Sequence, residues 1–256
     1  MRPVSSLVIA AVVFACTFGG AMAGTVLHLR LPEHHRNDNS KEVIKLVMGL
    51  IATIAALVLG LLISSAKSSY DAQKSEVQQL GIHIFQLDRI LQRFGPDGIE
   101  PRELLRRVVA TDMARTWTGQ PPGIAIPAPE RAQQDSEDLF RQIAGLPTKT
   151  DDQRVEQVRA QQLLTGLWET HRIMDEQAAG SLSWPFLLVL VFWLTALFVG
   201  FGLFARFNLT VCVALLVGAF SVAGAVFLVL EMNQPYRGVM QISSAPLRNA
   251  LPPMVR

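Results

Sequence analysis

The sequence predicts an all-α, four-span integral membrane protein with a helical soluble domain between spans 2 and 3. Three observations lead there. Four charge-free apolar stretches, residues 7–26, 46–66, 185–205 and 209–230, each approach the roughly 20 residues that cross about 30 Å of hydrocarbon. They fall two and two around a long polar middle, and the apolar residues of that middle recur at steps of three and four, the period of a helix. The resulting segments are a first span pair with a polar loop (1–66), a soluble helical domain (67–183), a second span pair (184–231) and a basic tail (232–256).

Span 1 shares features with a secretory signal: Arg2, an apolar run over 7–18, and Ala21-Met22-Ala23 ahead of Gly24. Apolar character resumes through Thr25, Val26 and Leu27, and removing this helix leaves an odd number of spans. It is therefore read as a retained span. Cys16 sits in a poor lipidation box, and the other cysteine, Cys212, lies inside span 4, so no disulfide framework or thiolate metal site is implied. The loop that follows holds His28, Glu33, His34 and His35. Their spacing supplies no tetrahedral shell, and no metal is expected there. Pro32 breaks the helix, and Asn39 or Ser40, with Glu42 following, is placed to start the next.

Span 2 carries Ala52, Ala56, Gly60 and Ser64 at four-residue intervals, a row of small side chains on one helix face, and Gly20 and Gly24 repeat that spacing in span 1. Such rows let backbones approach closely within or between subunits. They also leave room for a lumen, with Ile51, Ile54 and Leu61 as apolar constrictions. Lys67 closes the span among Ser64, Ser65, Ser68 and Ser69, either as a snorkelling side chain or as an anion-attracting group at a pore mouth.

No proline interrupts the chain from Lys41 to Gly95, so span 2 is expected to run on into a helix whose stripe is Val77, Leu80, Ile84, Leu87, Leu91 and Phe94, widened by Ile82, Phe85 and Ile90. Gly95-Pro96-Asp97-Gly98 ends it. A helix over 101–117 follows, with Leu104, Leu105, Val108 and Val109 inward. The proline-rich stretch 118–129 reads as a connector, and further helices are expected over 131–144 and 151–177, the latter capped by Thr148 or Thr150. His83 and His171 read as packing or surface histidines.

Spans 3 and 4 are the most apolar. Fourteen Leu, Val or Phe residues between Phe186 and Phe204 favour insertion, by roughly 4–8 kcal/mol in total. No carboxylate, histidine or lysine lies at the centre of any span, which argues against a coupled pump. Glu231, at the end of span 4, is read as interfacial.

Four spans put both termini and the middle on one side. Near the membrane that side carries seven Lys or Arg against five on the other, and the tail after Glu231 has three arginines and no acid. The middle and both termini are thus expected in the cytoplasm. The middle itself is slightly acidic, with no basic aromatic stripe, so nucleic acid is not an expected partner. No phosphate-cradling loop, zinc-protease motif or nucleophile elbow occurs, so neither an enzyme nor a cofactor is expected.

Five segments taken in order resemble a bacterial membrane-protein family of unknown function known as bestrophin-like. They are Leu31-Pro32-Glu33-His34-His35-Arg36; Ala56-Leu57-Val58-Leu59-Gly60-Leu61-Leu62 leading into Ser64-Ser65-Ala66-Lys67-Ser68-Ser69; Trp184-Pro185-Phe186 with Phe192-Trp193-Leu194-Thr195; Gln234-Pro235-Tyr236; and Ile242-Ser243-Ser244-Ala245-Pro246-Leu247-Arg248. The resemblance implies a link to bestrophins, pentameric anion channels with four membrane helices per subunit and a helical cytosolic domain. No calcium clasp or aromatic neck of that family is matched here. The resulting expectation is a homo-oligomer in the lipid bilayer of the bacterial inner membrane that passes small anions, with span 2 lining the path. The alternative is a membrane-anchored scaffold that binds a partner through the 77–94 stripe without transport.

Overall fold

The computed structural model describes residues 6–30, 38–117, 128–179, 184–205 and 208–251. All regular structure among them is helical: α1 (Ser6–Arg30), α2 (Asp38–Arg93), α3 (Ile99–Thr116), α4 (Pro129–Ala144), α5 (Asp151–Ala179), α6 (Trp184–Phe204), α7 (Leu209–Met232) and α8 (Ala245–Ala250). Four of them, α1, α2, α6 and α7, are long and apolar enough to cross a membrane. The chain forms two compact units, Met1–Tyr70 with Ser181–Asn233, and Asp71–Gly180 with Gln234–Arg256.

The first unit is built on α1, which packs along α6 and α7. Its core has one cluster of Val13, Leu187, Val226 and Leu230, and another of Ala21, Phe198, Leu215 and Ala219. Close approach of α1 and α6 is set by reciprocal glycines. A Cβ on Gly24 would overlap the Val199 carbonyl, and a Cβ on Gly202 would overlap the Ala21 carbonyl. At Gly20 the fit is tight without overlap, a Cβ there lying 3.1 Å from Thr195 Cγ2 and 3.3 Å from Val199 Cγ2. The small-residue spacing of span 1 thus serves packing within one chain. Ala21-Met22-Ala23-Gly24, the signal-like element, is helix interior here, with Ala21 and Gly24 buried. Thr17 and Thr25 are also buried, and each satisfies its hydroxyl on a carbonyl one turn back, Val13 at 2.9 Å and Ala21 at 3.0 Å. The entry to α7 is capped by Asn208, whose side chain accepts from the Val211 N–H at 2.8 Å.

α2 is continuous over 56 residues, about 84 Å at 1.5 Å per residue. Its stop matches the expectation: Gly95 takes φ +62° and a single 3₁₀ turn, Gly95–Gly98, leads into α3.

The second unit buries the predicted stripe. Val77, Leu80, Ile84, Leu87, Ile90, Leu91 and Phe94 are all core. Ile82 and Phe85 are not: both are exposed, because they lie beyond the arc that the other helices cover. α3 buries Leu104, Leu105 and Val109, while Val108 is only half-buried at the edge of that arc. α4 begins at Pro129, a residue read as connector, because proline at the first turn loses no helical hydrogen bond; the rest of that connector, 118–127, lies outside the described residues. α5 is capped by Thr150, whose hydroxyl accepts from the Gln153 N–H at 3.2 Å, while the Gln153 carboxamide accepts from the Lys149 N–H at 2.7 Å.

The segment after α7 is structured. Trp117 Nε1 donates to the Ile242 carbonyl at 2.7 Å and its ring meets Tyr236 edge-on at 5.3 Å. α8 follows, and a Cβ on Gly81 would lie 2.9 Å from the Pro246 carbonyl oxygen.

Candidate functional site

The face of α2 that bears the small residues is largely uncovered by its own chain. Ala52 is half-buried, and Ala56, Gly60 and Ser64 are exposed. A Cβ placed on Gly60 would meet nothing within 4 Å. The attachment of α2 to its unit lies elsewhere on the helix. Ala55 is buried against Leu190 and Leu194, with Val58, Leu59 and Leu62 beside it, and Met48 fills the notch left by Gly200. Ala56 is one residue on from Ala55, about 100° round the helix. The small row is thus turned away from that contact. Of the flanking apolar residues, Leu61 and Ile54 are exposed and Ile51 is half-buried.

The most apolar window of α2 is 6% buried, against 28% for α1 and α7 and 39% for α6. The other three cross-pack, whereas α2 is held along one edge. Lys67 is exposed, with Nζ 5.9 Å from the Tyr70 ring centroid. That is close enough for a cation–π contact, and Lys67 has a further partner as well.

Other titratable groups have structural surroundings. His28 Nδ1 is 2.6 Å from the Leu203 carbonyl, a bond that needs the proton on Nδ1 and ties the end of α1 to α6. Glu33, His34 and His35 lie outside the described residues. Among the described residues no three His, Cys, Asp or Glu side chains gather as metal ligands. His83 lies on α2 with its ring beside Gly166 of α5 and its Nδ1 buried without a hydrogen bond, and His171 Nε2 is 3.7 Å from Asp112. Glu231 is buried in the last turn of α7 and has a partner.

A feature that the sequence reading missed is the ion cluster at Asp88. Asp88 is buried and accepts two hydrogen bonds from Arg102, Nε to Oδ1 and Nη2 to Oδ2, both 2.9 Å, with Arg106 Nη2 at 3.8 Å. Its signal was available: an acid at a buried phase of the α2 stripe, and two arginines four residues apart on the next helix.

The family model of the bestrophin-like domain matches residues 15–247, which takes in the latter part of span 1, the other three spans and the middle. The chain belongs to the bestrophin-like family. A solved bacterial bestrophin homolog from Klebsiella pneumoniae, a point mutant, is similar in fold to this bestrophin-like chain. The TM-score is 0.64 at 13% sequence identity, covering 94% of this chain and 95% of that one. No curated protein matches the sequence. The bestrophin-like chain is therefore an all-helical membrane protein whose fold extends over nearly its whole length.

Proposed function

We propose that this bestrophin-like protein is one subunit of a homo-oligomeric channel for small anions in the bacterial inner membrane. In this reading the uncovered row Ala52, Ala56, Gly60 and Ser64 of α2 lines the path, with Lys67 at its mouth. The soluble unit and both termini face the cytoplasm, where the helices of the unit hold the ring together. The observation that carries the reading is the pose of α2: a membrane-length helix anchored by one edge, with its smallest side chains turned away from the anchor and uncovered. Small side chains leave a lumen open, and Leu61 and Ile54 beside them are apolar groups of the kind that gate by dewetting.

The scaffold reading loses its main support, since the stripe it needed is buried within the second unit.

Purified protein in liposomes tests the proposal. Chloride or nitrate flux is expected, and Gly60→Trp or Ala56→Trp should abolish it while leaving the oligomer intact. Wild-type oligomer that passes no anion would reject the channel.

A further inference from the structure

Within the second unit, Asp71, Lys74, Gln78, Ile82, Phe85, Arg89 and Gln92 recur along α2 at steps of three and four, one helix face. All seven are exposed, while Val77, Leu80, Ile84, Leu87 and Leu91 form the buried side. In sequence, this spacing continues that of Ala52, Ala56, Gly60, Ser64 and Lys67. The charge on the face is unbalanced. Asp71 is its one carboxylate and is already engaged. Lys74 and Arg89 have no carboxylate partner among the described residues, although Arg93, one turn beyond Arg89, pairs with Glu156 at 2.7 Å. Arg89 lies over the Phe85 ring at 5.4 Å and donates to Gln92 at 3.4 Å, and neither contact neutralises it.

We propose that Lys74 and Arg89 are the charge-selecting residues of the conducting path, with exposed Ile82 and Phe85 as an apolar girdle between them. This rests on the reading of α2 as the lining helix. With Lys74 and Arg89 against the one carboxylate of Asp71, each subunit adds net positive charge to this face, and its repetition around a lumen makes a positive field that concentrates the opposite ion. The ligand class is a small monovalent anion such as chloride or nitrate. Screening follows from the same physics: the field reaches about 10 Å at 0.1 M salt and about 3 Å at 1 M.

The experiment compares chloride and potassium flux in liposomes for the wild type, the double variant K74E/R89E, and the control R154E/R159E, an equal charge change at exposed positions on α5. The double variant should conduct with its chloride-to-potassium ratio lowered about tenfold, the low end of what focused surface fields produce, while the control R154E/R159E keeps the wild-type ratio. A conducting double variant with an unchanged ratio overturns the assignment and leaves the channel reading standing. So does a fall of the same size in the control R154E/R159E, which would mean that overall charge decides. Wild type without flux removes the channel reading and this assignment with it. Should the double variant fail to assemble, Lys74→Cys on a Cys16→Ser, Cys212→Ser background replaces it. Modification by an anionic thiol reagent should then lower the ratio, and a cationic reagent should leave it higher; equal ratios with both overturn the assignment.

Discussion

Asp88 shows how one residue's surroundings decide its energetic weight. Its carboxylate is 2% exposed and held by Arg102, 14% exposed, with Arg106 close by at 23%. Removing the acid strands two cations in a poorly hydrated site, and deletion of one partner of a buried pair typically costs about 3–5 kcal/mol. Arg141 and Asp138 form a close pair of the opposite kind, 73% and 45% exposed, where water already screens both charges. Such pairs contribute about 0–1 kcal/mol. Asp88→Ala should therefore lower the thermal unfolding midpoint in detergent markedly, and Arg141→Ala should barely move it. Equal shifts in the two variants would show that burial is not what sets the difference. Trp117 belongs to the same scale. Trp117→Phe keeps most of the ring against Tyr236 but leaves the buried Ile242 carbonyl without its donor, a loss of about 1–3 kcal/mol. Limited proteolysis should then cut the segment around Ile242 sooner than in the wild type.

Between elements, the same residue type plays opposite parts in α1 and α2. Gly24 and Gly202 sit where carbonyls of the partner helix occupy the space of a side chain, whereas Gly60 faces open space. Gly24→Val or Gly202→Val should force α1 and α6 apart, at a cost of about 1–3 kcal/mol or more for overpacking. Gly60→Ala should be neutral or slightly stabilising, since alanine is the better helix former. Melting of the three detergent-solubilised variants separates these, and a stability loss at Gly60 equal to that at Gly24 would mean that Gly60 is packed in the assembly. This contrast also marks what the sequence could convey. The spans, the uninterrupted α2, its stop at Gly95 and the Thr150 cap were legible because each depends on local chemistry: apolar length, absent proline, positive φ, a hydroxyl at a helix start. Which glycine row is covered was not, because Gly20-Gly24 and Ala56-Gly60 carry the same spacing and only tertiary contacts distinguish them. Ile82 and Phe85 were misassigned to the core for a related reason. Periodicity fixes the centre of an apolar stripe, but its width depends on how many helices pack against it. The tail was read only as basic, since the anchors that order it, Trp117 and Gly81, lie more than a hundred residues earlier in the chain.

For the whole molecule, the proposed channel requires several chains to close around a path. A helix held along one edge, with its small residues uncovered, can face lipid in a monomer or a lumen in a ring, and the two differ in assembly. Identical subunits meeting head to tail around an axis close into one cyclic stoichiometry, since any other count leaves an unpaired surface at each end. Native mass spectrometry of detergent-released protein should therefore show a single closed oligomer over a wide dilution range, with no ladder of intermediates. Gly60→Trp should shift neither the mass nor the dilution behaviour if the row lines a lumen, because the indole then enters open space. The same substitution should dissociate the ring if the row is a subunit contact, because a large side chain cannot enter a close helix crossing. A strictly monomeric wild type would instead assign the uncovered face to lipid and leave ions no path between subunits.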